Sequence, residues 1–360
     1  MGRLVSRLKV WIIRHPRVAK WVYAPVRKSD EDEYAAENRH VFSLYQEQER
    51  MLADKPRMAF YHEMIKRKIH PGDRVIDLGT GTGILAAFAS WQGAEKVYAL
   101  DHSTIIEDAR ALAVANGIEN VEFVPIHSRK FNLDEPVDVI LHEQMGDLLF
   151  NEDMVTNILD LRKRLLKQGG RILPACFEFY CEPVQLSDHG TVPFIWELNV
   201  KGFEFGSLHK KRPKDPDYYH YSSSDAAIVD RFLCDPIPLM SIDFNTLQRT
   251  ELAMEWSMPL TVAKSGRMDG YAVYFKALVD DDLVLSTSPL DEGRAPHWAF
   301  TILRTDQMEV REGDVIDMTI SAEEGWPNID SWCWQQTVYT AEQYRDCMYE
   351  GDDAFDDDEE

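Results

Sequence analysis

The sequence predicts a mixed α/β protein, a doubly wound and mostly parallel sheet followed by an antiparallel β-barrel, and three observations carry that expectation. From Asp73 the chain runs through RVIDLGTGTGILAAFASWQGAEKVYALDHS: an apolar run, a glycine-rich turn, a helix of small residues and a second apolar run, the pattern of a βαβ unit. The helical stretch ARALAVANG, the runs VEFVPI and VDVILHE, the helical stretch MVTNILDLRKRLL and the start of RILPACFEFYCEPV continue the alternation, to a sheet ending near residue 174. Beyond Pro174 the helical periodicity disappears. Short runs rich in Phe, Tyr, Val, Ile and Thr, broken by Gly, Pro and Asp, replace it, as in a barrel or sandwich.

The elements follow in order. Residues 1–33 form a basic amphipathic segment whose first 28 residues carry eight Lys or Arg and no acid. The whole chain sums to −23, which leaves −31 on the remainder (−23 less +8). An acidic body of that size disfavours nucleic acid and favours a cationic partner. Leu4, Val5, Leu8, Trp11 and Ile12, then Val18, Trp21 and Val22, recur near helical spacing on either side of Pro16. Two readings stay open: a reversible, peripheral contact of residues 1–28 with anionic membrane, and a basic helix packed on the protein's own acidic body. Gly2 and Ser6 also satisfy the M-G-x-x-x-S myristoylation pattern.

Residues 34–69 show helical spacing with no interior glycine, and Pro56 marks a break between two helices. Together with the sheet they make a unit spanning 34–174; the barrel takes 175–345. Residues 346–360, ending GDDAFDDDEE, read as an acidic tail, either a solvating end or a decoy for a cationic substrate. A chain of 360 residues with 44% hydrophobic content can bury a sizeable core in two such units. Five cysteines, an odd count without CxxC spacing, suit a reducing compartment, and no run reaches the ~18 apolar residues that span a bilayer. A cytoplasmic protein without a metal site is expected.

GTGTG after a strand lets the backbone approach a ligand closely at the first turn of the sheet, where open α/β sheets bind cofactors. A dinucleotide fingerprint places its third glycine three positions after the second. Here Gly79, Gly81 and Gly83 are spaced by two and position 84 is Ile, which fits a nucleoside without pyrophosphate. Asp77 precedes the turn. Asp101, 22 residues after Gly79 at the end of the next strand, is placed to accept both ribose hydroxyls, with His102 beside it. S-adenosylmethionine fits this Rossmann-like pattern better than NAD.

HEQMGDLLFNED, residues 142–153, sets Glu143 and Glu152 nine positions apart around a Met-Gly step. On a loop both acids can face one point; nine positions apart in a strand they could not. VIDLGTGTGILAAFAS, the acid of YALDHS, HEQMGDLLFNEDM, STSP (286–289) and PHW (296–298) occur in the order and spacing of the protein arginine methyltransferase family. RMLADKPR upstream and WELNVKGFEF downstream extend the match. The sequence therefore resembles that family over most of residues 40–320.

The resemblance implies a Rossmann-like S-adenosylmethionine-binding unit followed by a β-barrel with a dimerisation arm at about 187–225. Phe194, Ile195 and Trp196 would lie in a homodimer contact, with an arm packed on its own barrel as the alternative. The reaction implied is methyl transfer to an arginine guanidino nitrogen of a protein or peptide. A same-fold methyltransferase acting on another nitrogen, in a small molecule or a modified peptide, and a non-catalytic membrane-tethered adaptor are the alternatives. Glu143 and Glu152 match the family's paired glutamates. A guanidinium is a poor nucleophile because its lone pairs are delocalised and its pKa stays above about 12. Two carboxylates gripping two of its nitrogens would draw charge towards them and leave the third aimed at the methyl donor.

Other roles are implied residue by residue. Arg57 resembles the arginine that pairs with the cofactor's methionine carboxylate. His297 and Asp54 resemble a histidine–aspartate pair, read either as a proton exit or as a structural clasp, with Pro296 in place of the usual threonine. Met51, Met154 and Trp298 would flank the substrate slot. Several positions depart from the family. Asn38 and Phe42 stand where the covering helix has tyrosines, with Tyr34 and Tyr45 nearby; Ser128 stands where an acid meets the adenine amino group; Gln144 and Asp147 replace a Trp and a Tyr in the double-glutamate loop.

Overall fold

Asp54 sets the first boundary. Between α1 (Tyr45–Ala53) and α2 (Lys55–Lys68) its side chain accepts the Arg57 N–H at 2.9 Å and so caps α2. Pro56 lies in the first turn of α2, where its missing N–H forfeits no helical bond. The break marked by Pro56 thus falls at the capping aspartate two residues earlier. The computed structural model describes residues 40–150, 152–191, 193–248, 252–322 and 332–352. The basic segment 1–33, Tyr34, Asn38 and the chain beyond 352 lie outside the described residues.

The alternation of apolar runs and helices then builds β1 (Arg74–Leu78), α3 (Ile84–Trp91), β2 (Lys96–Asp101), α4 (Ile105–Ala115), β3 (Val121–Pro125), β4 (Val137–His142), α5 (Met154–Leu165) and β5 (Leu166–Leu173). The five strands form a parallel sheet in the order β3-β2-β1-β4-β5. Val75, Ile76, Val139 and Ile140 are inaccessible to solvent, as strands covered on both faces must be. The order reverses between β1 and β4. Loops leaving the carboxyl ends of these two strands therefore open a crevice between them, the place where such sheets take ligands.

The parallel sheet ends at Leu173, and Cys176 opens an antiparallel one. β6 (Cys176–Leu186), β9 (His220–Ser223), β10 (Val229–Phe232), β13 (Gly266–Asp280) and β15 (Phe300–Val310) pair in the order β10-β6-β13-β15-β9, with β11 (Met240–Asp243) on β6 and β14 (Leu283–Ser286) on β13. A second sheet is made of β12 (Glu255–Thr261), β16 (Val315–Ala322) and β17 (Trp332–Tyr339). Phe177, Phe179, Val273 and Phe275 from the first meet Leu260, Ile316, Met318 and Trp332 from the second in one apolar core, which continues into the parallel sheet. The fold is the expected one: a Rossmann-like unit followed by an antiparallel barrel with an arm.

The arm departs from expectation in one respect. It leaves β6, forms the short hairpin β7 (Asn199–Val200) and β8 (Phe203–Glu204), and returns to the barrel as β9. Phe194 and Trp196, expected at the contact with a partner, are buried within their own chain. Their rings stack at 4.6 Å, Arg304 lies over Phe194 at 4.1 Å, and the Trp196 indole donates to Asp306 at 2.9 Å. A buried indole N–H needs an acceptor, and β15 supplies it. Ile195, Val200 and Phe203 carry the exposed apolar surface instead.

The tail boundary at 346 also moves. Thr340 and Gln343 form a reciprocal cap, with the Gln343 N–H on Thr340 Oγ1 at 3.2 Å and the Thr340 N–H on Gln343 Oε1 at 2.9 Å. This cap starts α6 (Ala341–Asp352), so residues 346–352 are helical.

Phe275 is inaccessible on the central strand β13 and packs edge-on against Trp298 at 5.8 Å. Phe275→Ala should therefore cost about 3–5 kcal/mol, read from the shift of the urea midpoint. A loss below ~1 kcal/mol would mean that the barrel core relaxes around the cavity.

Candidate active site

Three segments meet over the crevice between β1 and β4. The first is the glycine turn, where Gly79, Gly81 and Gly83 take φ of +73°, +53° and +82°, the left-handed region that favours glycine. A Cβ on Gly81 would come within 3.0 Å of Gln48 Oε1, because α1 closes directly over the turn. Asp101, at the end of β2, accepts the Gly81 N–H at 2.9 Å and the Ser103 N–H at 2.7 Å. Asp77 lies behind the turn. It is fully buried and accepts a hydrogen bond from the Thr80 hydroxyl at 2.5 Å. Burial pushes its carboxyl up to about 7.

The second segment is the loop from Glu143 to Asp153. Leu149 and Asp153 adopt φ of +63° and +56°, and Gly146 bridges Leu149, so the loop doubles back and returns Glu152 to the cavity that Glu143 lines. Arg57 meets Glu143 at 2.7 Å and donates to Met51 O at 3.0 Å, while its Nε is buried without a partner among the described residues. Burial raises the Glu152 carboxyl above the ordinary carboxylate range, and the negative charges of Glu143 and Asp147 raise it further.

The third segment is the Pro296–Ala299 turn. Asp54, which caps α2 with one oxygen, accepts the His297 backbone N–H with the other at 2.8 Å. The aspartate thus clasps the main chain of His297, not its ring. Ring Nδ1 is buried without a partner among the described residues, and burial lowers the imidazole pKa, which favours the neutral ring. The Trp298 indole donates to Met145 O, and Asp147 Oδ1 accepts the Ala299 N–H at 2.9 Å.

The resulting cavity, about 1190 Å³ with its open mouth, brings together Met51, Arg57, Gly79, Gly81, Asp101, His102, Ser128, Glu143 and Glu152. Six other residues expected at the site do not line it. Asp77 supports the turn from below, Gly83 starts α3 against Phe123, and Met154 is buried in the core beneath α5. Asp54 stands at the junction of α1 and α2, joined to the turn before β15 that carries His297 and Trp298. Gln48, His127, Arg129 and Asn157 line it without having been foreseen. Asn157 carried a readable signal: it is a polar residue within the buried stripe Met154, Ile158, Leu161 and Leu165 of α5. Gln48 shares a helix face with Met51, three residues on.

Two family models match the chain: the arginine methyltransferase oligomerization subdomain over residues 179–331, and the ribosomal protein L11 methyltransferase over residues 58–174. The chain is similar to the probable protein arginine N-methyltransferase 6 of Arabidopsis thaliana, with 28% identity over 324 residues, 78% of this chain and 73% of the relative. It is similar to protein arginine N-methyltransferase 6 of Xenopus tropicalis, with 29% identity covering 82% and 89%. The chain is thus similar to protein arginine N-methyltransferases over most of its length. Solved family structures share its fold. Arabidopsis thaliana protein arginine methyltransferase 10 superimposes with a TM-score of 0.70 at 23% identity, covering 84% of this chain and 95% of that one. The enzyme-prozyme heterotetrameric complex of Trypanosoma brucei protein arginine methyltransferase 1 with AdoHcy gives 0.66 at 23%, covering 82% and 99%. The two matched segments abut where the parallel sheet gives way to β6.

His142 ends β4 directly before Glu143. It is fully buried, and its Nε2 donates to Pro174 O at 2.8 Å, tying the acid-bearing loop to the link between the sheets. Burial lowers its pKa to about 4. Below the unfolded value of ~6.5 the unfolded chain gains a proton that the folded chain refuses, so this residue's contribution is lost as pH falls from ~6.5 to 4, up to about 3 kcal/mol. Urea unfolding of the His142→Gln variant should show that part of the acid dependence missing relative to wild type. Parallel pH curves for the two proteins would contradict a neutral buried imidazole.

Proposed function

We propose that this protein transfers a methyl group from S-adenosylmethionine to a guanidino nitrogen of arginine in a protein or peptide. The observation that carries the reading is the return of Glu152 to the cavity of Glu143, beside the glycine turn and Asp101. The curated relatives named above are protein arginine N-methyltransferases, and the Trypanosoma brucei structure was solved with AdoHcy. The residues present suit that cofactor. The left-handed glycine turn leaves room for a nucleoside, Asp101 offers carboxylate oxygens to ribose hydroxyls, and the orphaned Arg57 Nε suits a carboxylate. S-adenosylmethionine supplies an electrophilic methyl on a sulfonium.

The chain's own contribution is orientation and charge. Glu143, held by Arg57, and Glu152 accept N–H groups from a guanidinium and fix which nitrogen faces the donor. As that nitrogen gains the methyl it gives up one proton, and the carboxylates stabilise the positive charge until then. Glu143→Gln and Glu152→Gln should each lower radiolabelled methyl transfer to an arginine-rich peptide by about tenfold to thousandfold, while S-adenosylhomocysteine still binds by calorimetry. Near-normal turnover in either variant would defeat the two-glutamate mechanism, and labelling confined to another nitrogen would favour a different acceptor.

The same reading extends to a homodimer. The matched oligomerization subdomain includes the arm, whose hairpin exposes Val200 and Phe203 with Ile195 nearby. Light scattering at micromolar concentration should give twice the chain mass, and Phe203→Asp should shift it towards monomer. A monomeric wild type rules the dimer out.

A further inference from the structure

We propose that Asp147 is a positioning residue of the guanidinium site: it pins the His297 turn to the double-glutamate loop and adds a third negative charge beside the pocket that receives the substrate cation. This role presupposes the arginine reading above and narrows it. Residue 147 lies between the two glutamates in sequence, and its Oδ1 accepts the Ala299 N–H at 2.9 Å. The Trp298 indole donates to Met145 O, and Asp54 takes the His297 N–H at 2.8 Å. Residues 297–299 thus have three anchors, two of which land between Glu143 and Glu152.

The charges around these anchors do not balance. Glu143 has Arg57 at 2.7 Å, but among the described residues no cationic side chain pairs within 4.0 Å with Glu152 or Asp147. Glu152 faces Asp147 along the loop, His297 and Arg294 face it from the turn before β15, and Arg50 faces it from α1. Arg294 is engaged by the Ser224 and Trp298 carbonyls, and Arg50 is solvent-facing and paired with Glu47. Neither discharges the acid pair. Burial raises the Asp147 and Glu152 carboxyls alike, and the charges of Glu143 and Asp147 raise Glu152 further, which favours a protonated Glu152 until a cation arrives. A guanidinium, which brings both charge and N–H donors, displaces that proton; a neutral amide does not.

Calorimetry decides the matter. An arginine-containing peptide is titrated into enzyme loaded with S-adenosylhomocysteine, in buffers of different ionisation enthalpy, so that released protons are counted. Wild type should release protons on binding. Asp147→Asn, which keeps an oxygen for Ala299, should release fewer, and its acid limb of kcat/KM should move to lower pH by about one unit, because a like charge next to Glu152 is gone. Asp147→Ala should in addition lower kcat through the freed turn. An unchanged proton count and pH profile in Asp147→Asn would reduce Asp147 to a loop anchor and overturn this role alone. Failure of the peptide to bind wild type would overturn the arginine reading, and this role with it.

Discussion

The buried ion pair between Arg57 and Glu143 is the contact on which the rest of the site depends. It joins α2 to the end of β4 across 86 residues of chain, with both side chains nearly closed to solvent. Breaking such a pair by removing one partner leaves an uncompensated buried charge, typically at a cost of about 3–5 kcal/mol. Tyr61 and Trp298 present ring faces to the guanidinium at 5.8 and 5.9 Å, which ties α2 and the turn before β15 to the same charge. Asp54, three residues before Arg57, completes the join by capping α2 and holding His297. Sheet, helical cover and barrel thus converge on one cation.

That convergence sets the electrostatic character of the cavity. Arg57 pairs directly with Glu143 and draws Glu152 down only from a distance, whereas burial and the repulsion among the loop acids drive the Glu152 carboxyl up. Their mutual repulsion, made stronger by burial, is an energetic preference for a cationic guest, and the backbone holds it in place. Leu149 and Asp153 bend the loop through left-handed conformations that most side chains avoid, and the Trp298, Ala299 and Asp147 contacts keep it bent. The same bend brings Glu152 back towards Glu143, as a strand continuing from β4 could not.

Much of the fold was legible because local periodicity and turn chemistry agree with the tertiary arrangement. The βαβ alternation from Arg74 to Leu173 and the loss of helical spacing after Pro174 each appear in the structure where the pattern changes. The acid pair was legible through a specific motif, and the glycine spacing marked the cofactor end. Less legible were residues whose part depends on what lies opposite. Asp77 looks like a ligand beside a glycine turn, but its strand points it into the core, against Thr80. Phe194 and Trp196 look like interface residues, but Asp306 and Arg304 hold them on their own barrel. Charge suggested a tail from residue 346, whereas the Thr340–Gln343 cap carries a helix to Asp352.

By itself the sequence determined the order of the elements, the two sheet types, the position of the glycine turn and the presence of paired glutamates on one loop. These follow from short-range rules: the period of apolar residues, the conformations open to glycine, and the spacing within a motif. Only the tertiary structure decided which side chains meet across long separations. It put Arg57 on Glu143, Asp54 on the backbone of His297 rather than its ring, and Asp147 on Ala299, and it added Gln48, His127 and Asn157 to the cavity wall. Such contacts depend on sheet order and loop path, which place residues 86, 152 or 243 positions apart within hydrogen-bonding distance, and no local pattern in the chain records that placement.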